Sequence, residues 1–253
     1  MLNFKIIVQY DGTRYKGWQR QKSADNTIEG KLETLLERQL GVPVEVFGSG
    51  RTDAGVHALA QTASFHAPDG CIPGTGGEEK CRAVKQMFDD YLPEDIAVTD
   101  VRLASDRFHA RLNAKGKKYV YRIWTASHPN VFERKYMAHM TAPLDIETMR
   151  AAAAYLTGQH DFAAFCGNAR MKKSTIRFVR SINIERIDNE VRFTYTGSGF
   201  LQYMVRILTG TLVQVGRGEF PPEHVIEVLE SKDRVQAGPT MPAKGLTLVE
   251  VYY

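Results

Sequence analysis

Residues 4–12 read Phe-Lys-Ile-Ile-Val-Gln-Tyr-Asp-Gly, and residues 26–41 read Asn-Thr-Ile-Glu-Gly-Lys-Leu-Glu-Thr-Leu-Leu-Glu-Arg-Gln-Leu-Gly. The first run is β-branched and aromatic up to Tyr10, and Asp11-Gly12 is a turn signal, so residues 4–10 are expected as a strand. In the second, Asn26 and Glu29 have the spacing of a capping box, and Ile28, Leu32, Leu35, Leu36 and Leu40 recur at helical intervals until Gly41. A second strand is expected over 42–47 and a third over 61–66. A helix is expected over 78–91, stopped by Leu92-Pro93. The stretch 68–77, with four glycines and two prolines, reads as a flexible surface loop. The first half is thus strand, helix, strand, strand, helix.

The second half has the same order. Residues 117–124 read as a strand that puts Tyr119, Tyr121 and Ile123 on one face. Asp145 is placed to cap a helix over 146–156, with Gly158 at its end. Strands over 179–187 and 191–195 flank Asp188-Asn189, a hairpin signal. An apolar helix is expected over 200–215, another over 221–229, and a closing strand over 246–253. Two related α+β units follow from this order, divided near 100–115. The boundaries are set at 1–105 and 106–253.

Composition narrows the classes. The 253 residues are 43% apolar and 25% charged, with a net charge of +4, which suits a folded, mildly basic protein. Cys71, Cys81 and Cys166 are odd in number and have no Cys-x-x-Cys spacing, so a disulfide framework or zinc site is not expected and a reducing cytoplasm fits. The first residues lack a signal peptide's apolar run, and no stretch is long and apolar enough to span a membrane. Walker A, GxGxxG, HExxH and GxSxG patterns are missing, and His57 at i+4 from Asp53 lacks a third ligand nearby. No metal, nucleotide or flavin is expected.

Four constellations have chemical potential. Gly48-Ser-Gly-Arg51-Thr-Asp53-Ala-Gly-Val-His57 sets one carboxylate among small residues, with a guanidinium two positions before it. Glycines allow close approach and Arg51 would favour the ionised form, so Asp53 suits a nucleophile or general base; taken alone, Thr-Asp-Ala-Gly reads more readily as a turn in which Asp53 bonds to its own backbone. Arg206 is the only charged residue between Gly199 and Gly216, in a helix apolar on most sides. Such a helix should be buried, and an unpartnered charge there would cost on the order of several kcal/mol, so Arg206 needs a carboxylate or a phosphate. Arg107-Phe-His109-Ala-Arg111 and Lys115 to Arg122 interleave cations with rings, as RNA binding requires and as a half-buried strand also would. Tyr10 to Gln21, with Arg14, Lys16 and Trp18, is either an RNA surface or a buried tryptophan corner.

Together these segments resemble the TruA family of transfer RNA pseudouridine synthases. The resemblance rests on Tyr10-Asp-Gly with Gly17-Trp-Gln19, Gly50-Arg-Thr-Asp-Ala-Gly-Val-His57, Leu92-Pro-Glu-Asp-Ile96, Phe108-His-Ala-Arg111, Tyr119-Val-Tyr121, His160-Asp-Phe with Phe165, Phe200 with Met204-Val-Arg206, and Gly245-Leu246, in the family's order along nearly the whole chain. It implies two ferredoxin- or RRM-like α/β-sandwich halves, their sheets joined into one mostly antiparallel sheet crossed by a central RNA-binding cleft. It also implies cofactor-free isomerisation of uridine at positions 38, 39 or 40 of the tRNA anticodon arm by a homodimer. By the same resemblance Asp53 is the catalytic aspartate, with Arg206 and Arg51 near it, and Tyr119 stacks on the target base. His109, Arg111, Arg14 and Lys16 are the expected RNA contacts. Asp89, Tyr91, Asn113, Glu29, Gln202 and Ile207 depart from the usual pattern, which bears on substrate range. A non-catalytic RNA binder and a synthase for another RNA are the alternatives.

Overall fold

The computed structural model describes residues 1–21, 26–168 and 171–253. The chain is mixed α+β. In order the elements are β1 (Leu2–Tyr10), α1 (Ile28–Leu40), β2 (Val46–Gly48), β3 (His57–Ala67), α2 (Gly77–Tyr91) and β4 (Ile96–Ala104). There follow β5 (Gly116–Trp124), β6 (Ala138–His139), α3 (Ile146–Tyr155), β7 (Gly158–Asp161), β8 (Ile176–Ile187), β9 (Glu190–Gly197), α4 (Met204–Gly216), α5 (His224–Ser231) and β10 (Leu246–Tyr252). Contacts group them into two units: Met1–Ala114 with Leu248–Tyr253, and Lys115–Thr247. The closing residues, assigned by sequence order to the second half, therefore pack with the first.

In the first unit β1 lies between β4 and β3, antiparallel to both; β2 also pairs antiparallel with β3, and β10 is the next neighbour of β3. Phe4, Ile6 and Val8 alternate with more exposed residues and are fully buried, each burial contributing about 1.5–3 kcal/mol. Phe4 stacks on Phe65 of β3 at 5.2 Å, and Phe65 meets Phe88 of α2 edge-on at 6.5 Å. The capping box at 26–29 does not form. Thr27, not Asn26, caps α1, its hydroxyl accepting from Gly30 N at 3.3 Å. Asn26 instead donates to the Arg14 carbonyl at 2.7 Å. Gly41, at φ 70°, ends the helix as expected. The strand foreseen over 42–47 shrinks to Val46–Gly48, and β4 was not foreseen at all. The 68–77 stretch is more than a surface loop: Asp69–Cys71 form a 3-10 turn, Ile72 is buried, and Asp69 pairs with Lys80.

In the second unit β5, β9, β8 and β7 form an antiparallel series, with the short β6 parallel to β5. Tyr119, Tyr121 and Ile123 do share one buried face. Asp145 does cap α3, accepting from Thr148 N at 3.1 Å. Gly158, expected at the helix end, opens β7 instead. Asp188, at φ 53°, makes the β8–β9 turn. Helix α4 starts at Met204, four residues later than expected, because Tyr203 adopts a left-handed φ of 61° that a right-handed helix cannot include. Tyr195 of β9 bonds Thr209 of α4 at 2.8 Å, and Gly216 admits Met149 of α3.

One ion network ties the β5–β9 pair. Arg122 donates to both oxygens of Glu190, at 2.9 and 2.7 Å, and to Glu133 at 2.5 Å; Arg192 Nε donates to Glu190 at 2.9 Å. Burial opposes the ionised carboxylate, but the two guanidinium groups outweigh it and hold Glu190 below its ordinary pKa. A depressed carboxylate stabilises the fold above its unfolded pKa, and that contribution is lost as pH falls through the folded value. Glu190→Gln is therefore expected to lower the urea midpoint at neutral pH. It should also shrink the drop in midpoint between neutrality and about pH 3.

Candidate functional site

The loop that carries Asp53 is built backbone on backbone. Gly12 and Gly17 bring residues 10–18 against it. A Cβ at Gly12 would overlap the Val56 carbonyl, and one at Gly17, whose φ is +96°, would lie 2.7 Å from the Thr52 oxygen. Trp18 N donates to Thr52 O at 3.1 Å and Gly12 N to His57 Nδ1 at 3.0 Å. Tyr10 and Thr52 share a hydroxyl bond of 2.8 Å, and burial drives the Tyr10 phenol well above its ordinary pKa. On the other side Gln61 holds the loop by its amide, donating to the Gly50 carbonyl at 2.8 Å and accepting from Ser49 at 2.6 Å. Val56 N closes a turn on the Asp53 carbonyl at 3.1 Å, with Gly55 at φ 78°. Asp53 is half-buried and Arg51 exposed at the end of this scaffold.

The tryptophan reading is settled by burial. Trp18 is 1% exposed, so it is a corner and not an RNA surface. Its indole lies against Gly48, where a Cβ would overlap the ring, and its Nε1 donates to Glu29 at 3.0 Å. Glu29 also accepts from Arg20 N at 2.8 Å; burial raises its pKa. This pairing is what the Glu29 side chain does in place of the expected capping box.

The other basic candidates of the first unit are held in different ways. Arg14 is engaged by Asp95, with Nε at 2.9 Å and Nη2 at 2.6 Å from one carboxylate oxygen, while Tyr15 donates to the other at 2.6 Å. Arg14 also borders an open cleft of about 510 Å³ with Lys31 and Tyr91; Asp53 is not among its walls. Lys16 and Arg111 are exposed. The His109 ring lies tilted beside Phe47, with centres 4.9 Å apart, and its Nδ1 accepts from Arg111 N at 3.1 Å. Asn113 accepts from His109 N at 2.8 Å and so closes the turn that presents Arg111.

In the second unit Tyr119 is 7% exposed, with the edge of its ring system at right angles to Phe200, 5.4 Å away. Arg206 corrects the expectation of a buried charge. It is half-buried: α4 is buried along its other faces, but the side chain leaves at the helix's first turn. Its Nε donates to the Met241 carbonyl at 2.6 Å, and its guanidinium carbon lies 5.1 Å from the Tyr203 ring centre. Among the described residues no three His, Cys, Asp or Glu are grouped to hold a metal ion, and no helix is long and apolar enough to cross a membrane.

A family model of tRNA pseudouridine synthases matches residues 6–113 and 152–253. A tRNA pseudouridine synthase A of Bacillus sp. (strain KSM-64) is 46% identical over 238 residues, 94% of either chain. A tRNA pseudouridine synthase A 2 of Bacillus cereus (strain ZK / E33L) is 42% identical over 253 residues, the whole of both chains. The chain belongs to the tRNA pseudouridine synthase family. It is an isomerase that converts uridine in tRNA to pseudouridine. A tRNA pseudouridine synthase A of Acetivibrio thermocellus matches at 42% over the same full length. Among solved structures, a chain of a Cbf5-Nop10-Gar1 complex aligns with 96% of this synthase and 57% of its own length, at 12% identity and a TM-score of 0.36, too low to establish a common fold.

Asp53 and Arg206 both fall inside the matched segments of the synthase; Tyr119 falls outside them. Two features of the site had no sequence signal. Nothing in the order of residues told that Gly12 and Gly17 face Val56 and Thr52, or that a tyrosine at 203 would be left-handed. Replacing Gly17 by Ala puts a side chain at a disfavoured φ and against a carbonyl. The expected result is about 1–3 kcal/mol of lost stability in urea unfolding, and at least tenfold lower turnover in the folded fraction through displacement of the loop.

Proposed function

We propose that the synthase modifies uridines at one or more of positions 38, 39 and 40 of the tRNA anticodon stem-loop, with Asp53 as its catalytic carboxylate and no cofactor. One observation supports the assignment above others. Asp53 stands half-exposed in a glycine-framed loop whose backbone is tied on two sides, within the span that defines the family. An RNA binder has no use for a carboxylate so held, since phosphates repel it.

The uracil must leave C1′ through N1, turn, and rejoin through C5. The proton lost from C5 balances the one gained at N1, so substrate and product are isomers. A base within a stem must first be everted. Asp53 acts by adding to C6, by displacing the base at C1′, or by removing the 2′ proton. On every route negative charge collects on the detached ring, and a cation is needed to offset it. Arg206 fills that role, and Arg51 adds positive charge beside the carboxylate. Tyr119 stacks on the everted ring. His109, Arg111, Arg14 and Lys16 meet the RNA backbone in a basic cleft, Arg14 on condition that it keeps or exchanges Asp95. The enzyme works in the cytoplasm as a homodimer.

Release of tritium from C5 of uridine, measured with tRNA and with ribosomal RNA, separates this reading from a pure binder and from a synthase for another RNA. Asp53→Ala is expected to release no label while binding tRNA within about threefold of the parent; release by that variant would overturn the assignment. Base stacking is worth about 1–3 kcal/mol. Tyr119→Ala should therefore lower kcat/KM about ten- to a hundredfold, while Tyr119→Phe keeps the ring and the rate. Equal losses in the two would refute stacking and point to the phenol.

A further inference from the structure

Three described residues other than glycine have positive φ: Asp188, Tyr203 and Lys232. Asp188 turns a hairpin and Lys232 ends α5, where left-handed residues are common. Tyr203 is different. It stands before the first turn of α4 and makes no side-chain cap bond. A bulky side chain in this conformation is strained and persists only where its surroundings enforce it.

Those surroundings hold the ring beside Arg206. The Tyr203 ring lies in a notch left by Gly167: a Cβ there would overlap Cδ2 and come within 2.9 Å of Cγ. Gly167 N donates to the Gln202 carbonyl at 2.9 Å, which fixes the notch relative to the ring. The guanidinium of Arg206 lies over that ring at 5.1 Å, with Nε directed to the Met241 carbonyl at 2.6 Å. A guanidinium is flat. A ring against it and a carbonyl on Nε together restrict both its tilt and its rotation.

We infer that Tyr203 is a positioning residue: its left-handed backbone and the Gly167 notch place an aromatic ring that holds the Arg206 guanidinium in its working orientation. This rests on the assignment of Arg206 to the reaction made above. A residue that orients a cation needed in the transition state alters kcat and leaves KM alone. Nothing in residues 200–207 signals such a role, because it depends on a backbone angle that tyrosine rarely adopts.

Three variants of the full-length synthase test this on tRNA labelled at C5 of uridine. Tyr203→Phe keeps the ring and should keep kcat within about twofold. Tyr203→Asn suits the left-handed backbone, so it removes the ring and relieves the strain. Its kcat should fall about tenfold, the scale of a shielded cation–π contact, with KM unchanged and Tm no lower than the parent's. Gly167→Ala should displace the ring and slow the enzyme similarly, with no further loss when added to Tyr203→Asn. Parental kcat in Tyr203→Asn, or a loss seen only as higher KM or lower Tm, would overturn the inference. Arg206→Lys distinguishes the two levels. If it keeps parental kcat, the assignment of Arg206 fails and takes this inference with it. If it is slow while Tyr203→Asn is fast, the inference alone fails.

Discussion

The approach of one backbone to another at Gly12 and Gly17 is the constraint on which the first unit's candidate chemistry depends. Residues 10–18 and 52–56 come too close for any Cβ on the facing side. That closeness lets Trp18 N reach Thr52 O, Gly12 N reach His57, and Tyr10 reach the Thr52 hydroxyl. Each bond satisfies a polar group that would otherwise be buried without a partner, at a cost of about 1–3 kcal/mol. The loop consequently arrives with its shape already set. In the catalytic role proposed for it, Asp53 would need little rearrangement as charge develops, the condition under which a fixed charge lowers a barrier most.

The second unit solves a related problem by the opposite means. There the charge to be held is a cation at the start of a helix that is otherwise buried. Glycine again removes a Cβ, at 167, but the space is filled by a ring rather than by backbone. The carbonyl of Met241 and the face of Tyr203 then replace part of the water that a guanidinium would lose. The strain at Tyr203 is opposed by the packing around it, as expected where a conformation matters more than its local preference.

Burial and internal hydrogen bonds also sort three aromatic residues that composition left ambiguous. Trp18, Tyr10 and Tyr15 look alike in sequence to rings awaiting RNA, yet all are buried and each bonds its polar atom inside the fold, Trp18 to Glu29, Tyr10 to Thr52 and Tyr15 to Asp95. The partner that turns each of these three rings inward lies elsewhere in the chain. No local pattern records that neighbour.

Period and punctuation by themselves determined most of the elements. The alternation in β1 and β5, the leucine spacing of α1 with Gly41 at its end, the Asp145 cap and the Asp188-Asn189 turn are local, since each is decided by interactions within a few residues. The membership of the chain in its family was legible too, because its motifs recur in order along the chain. Tertiary structure alone decided the rest. Thr27 displaced Asn26 as the cap once Glu29 was drawn to Trp18 and Arg20. Helix α4 began late because Gly167, distant in sequence, made room for a left-handed Tyr203. The last strand joined the first unit by pairing, for which chain order has no code. In each case the deciding partner is remote along the chain, and its energy enters only after the chain has closed on itself.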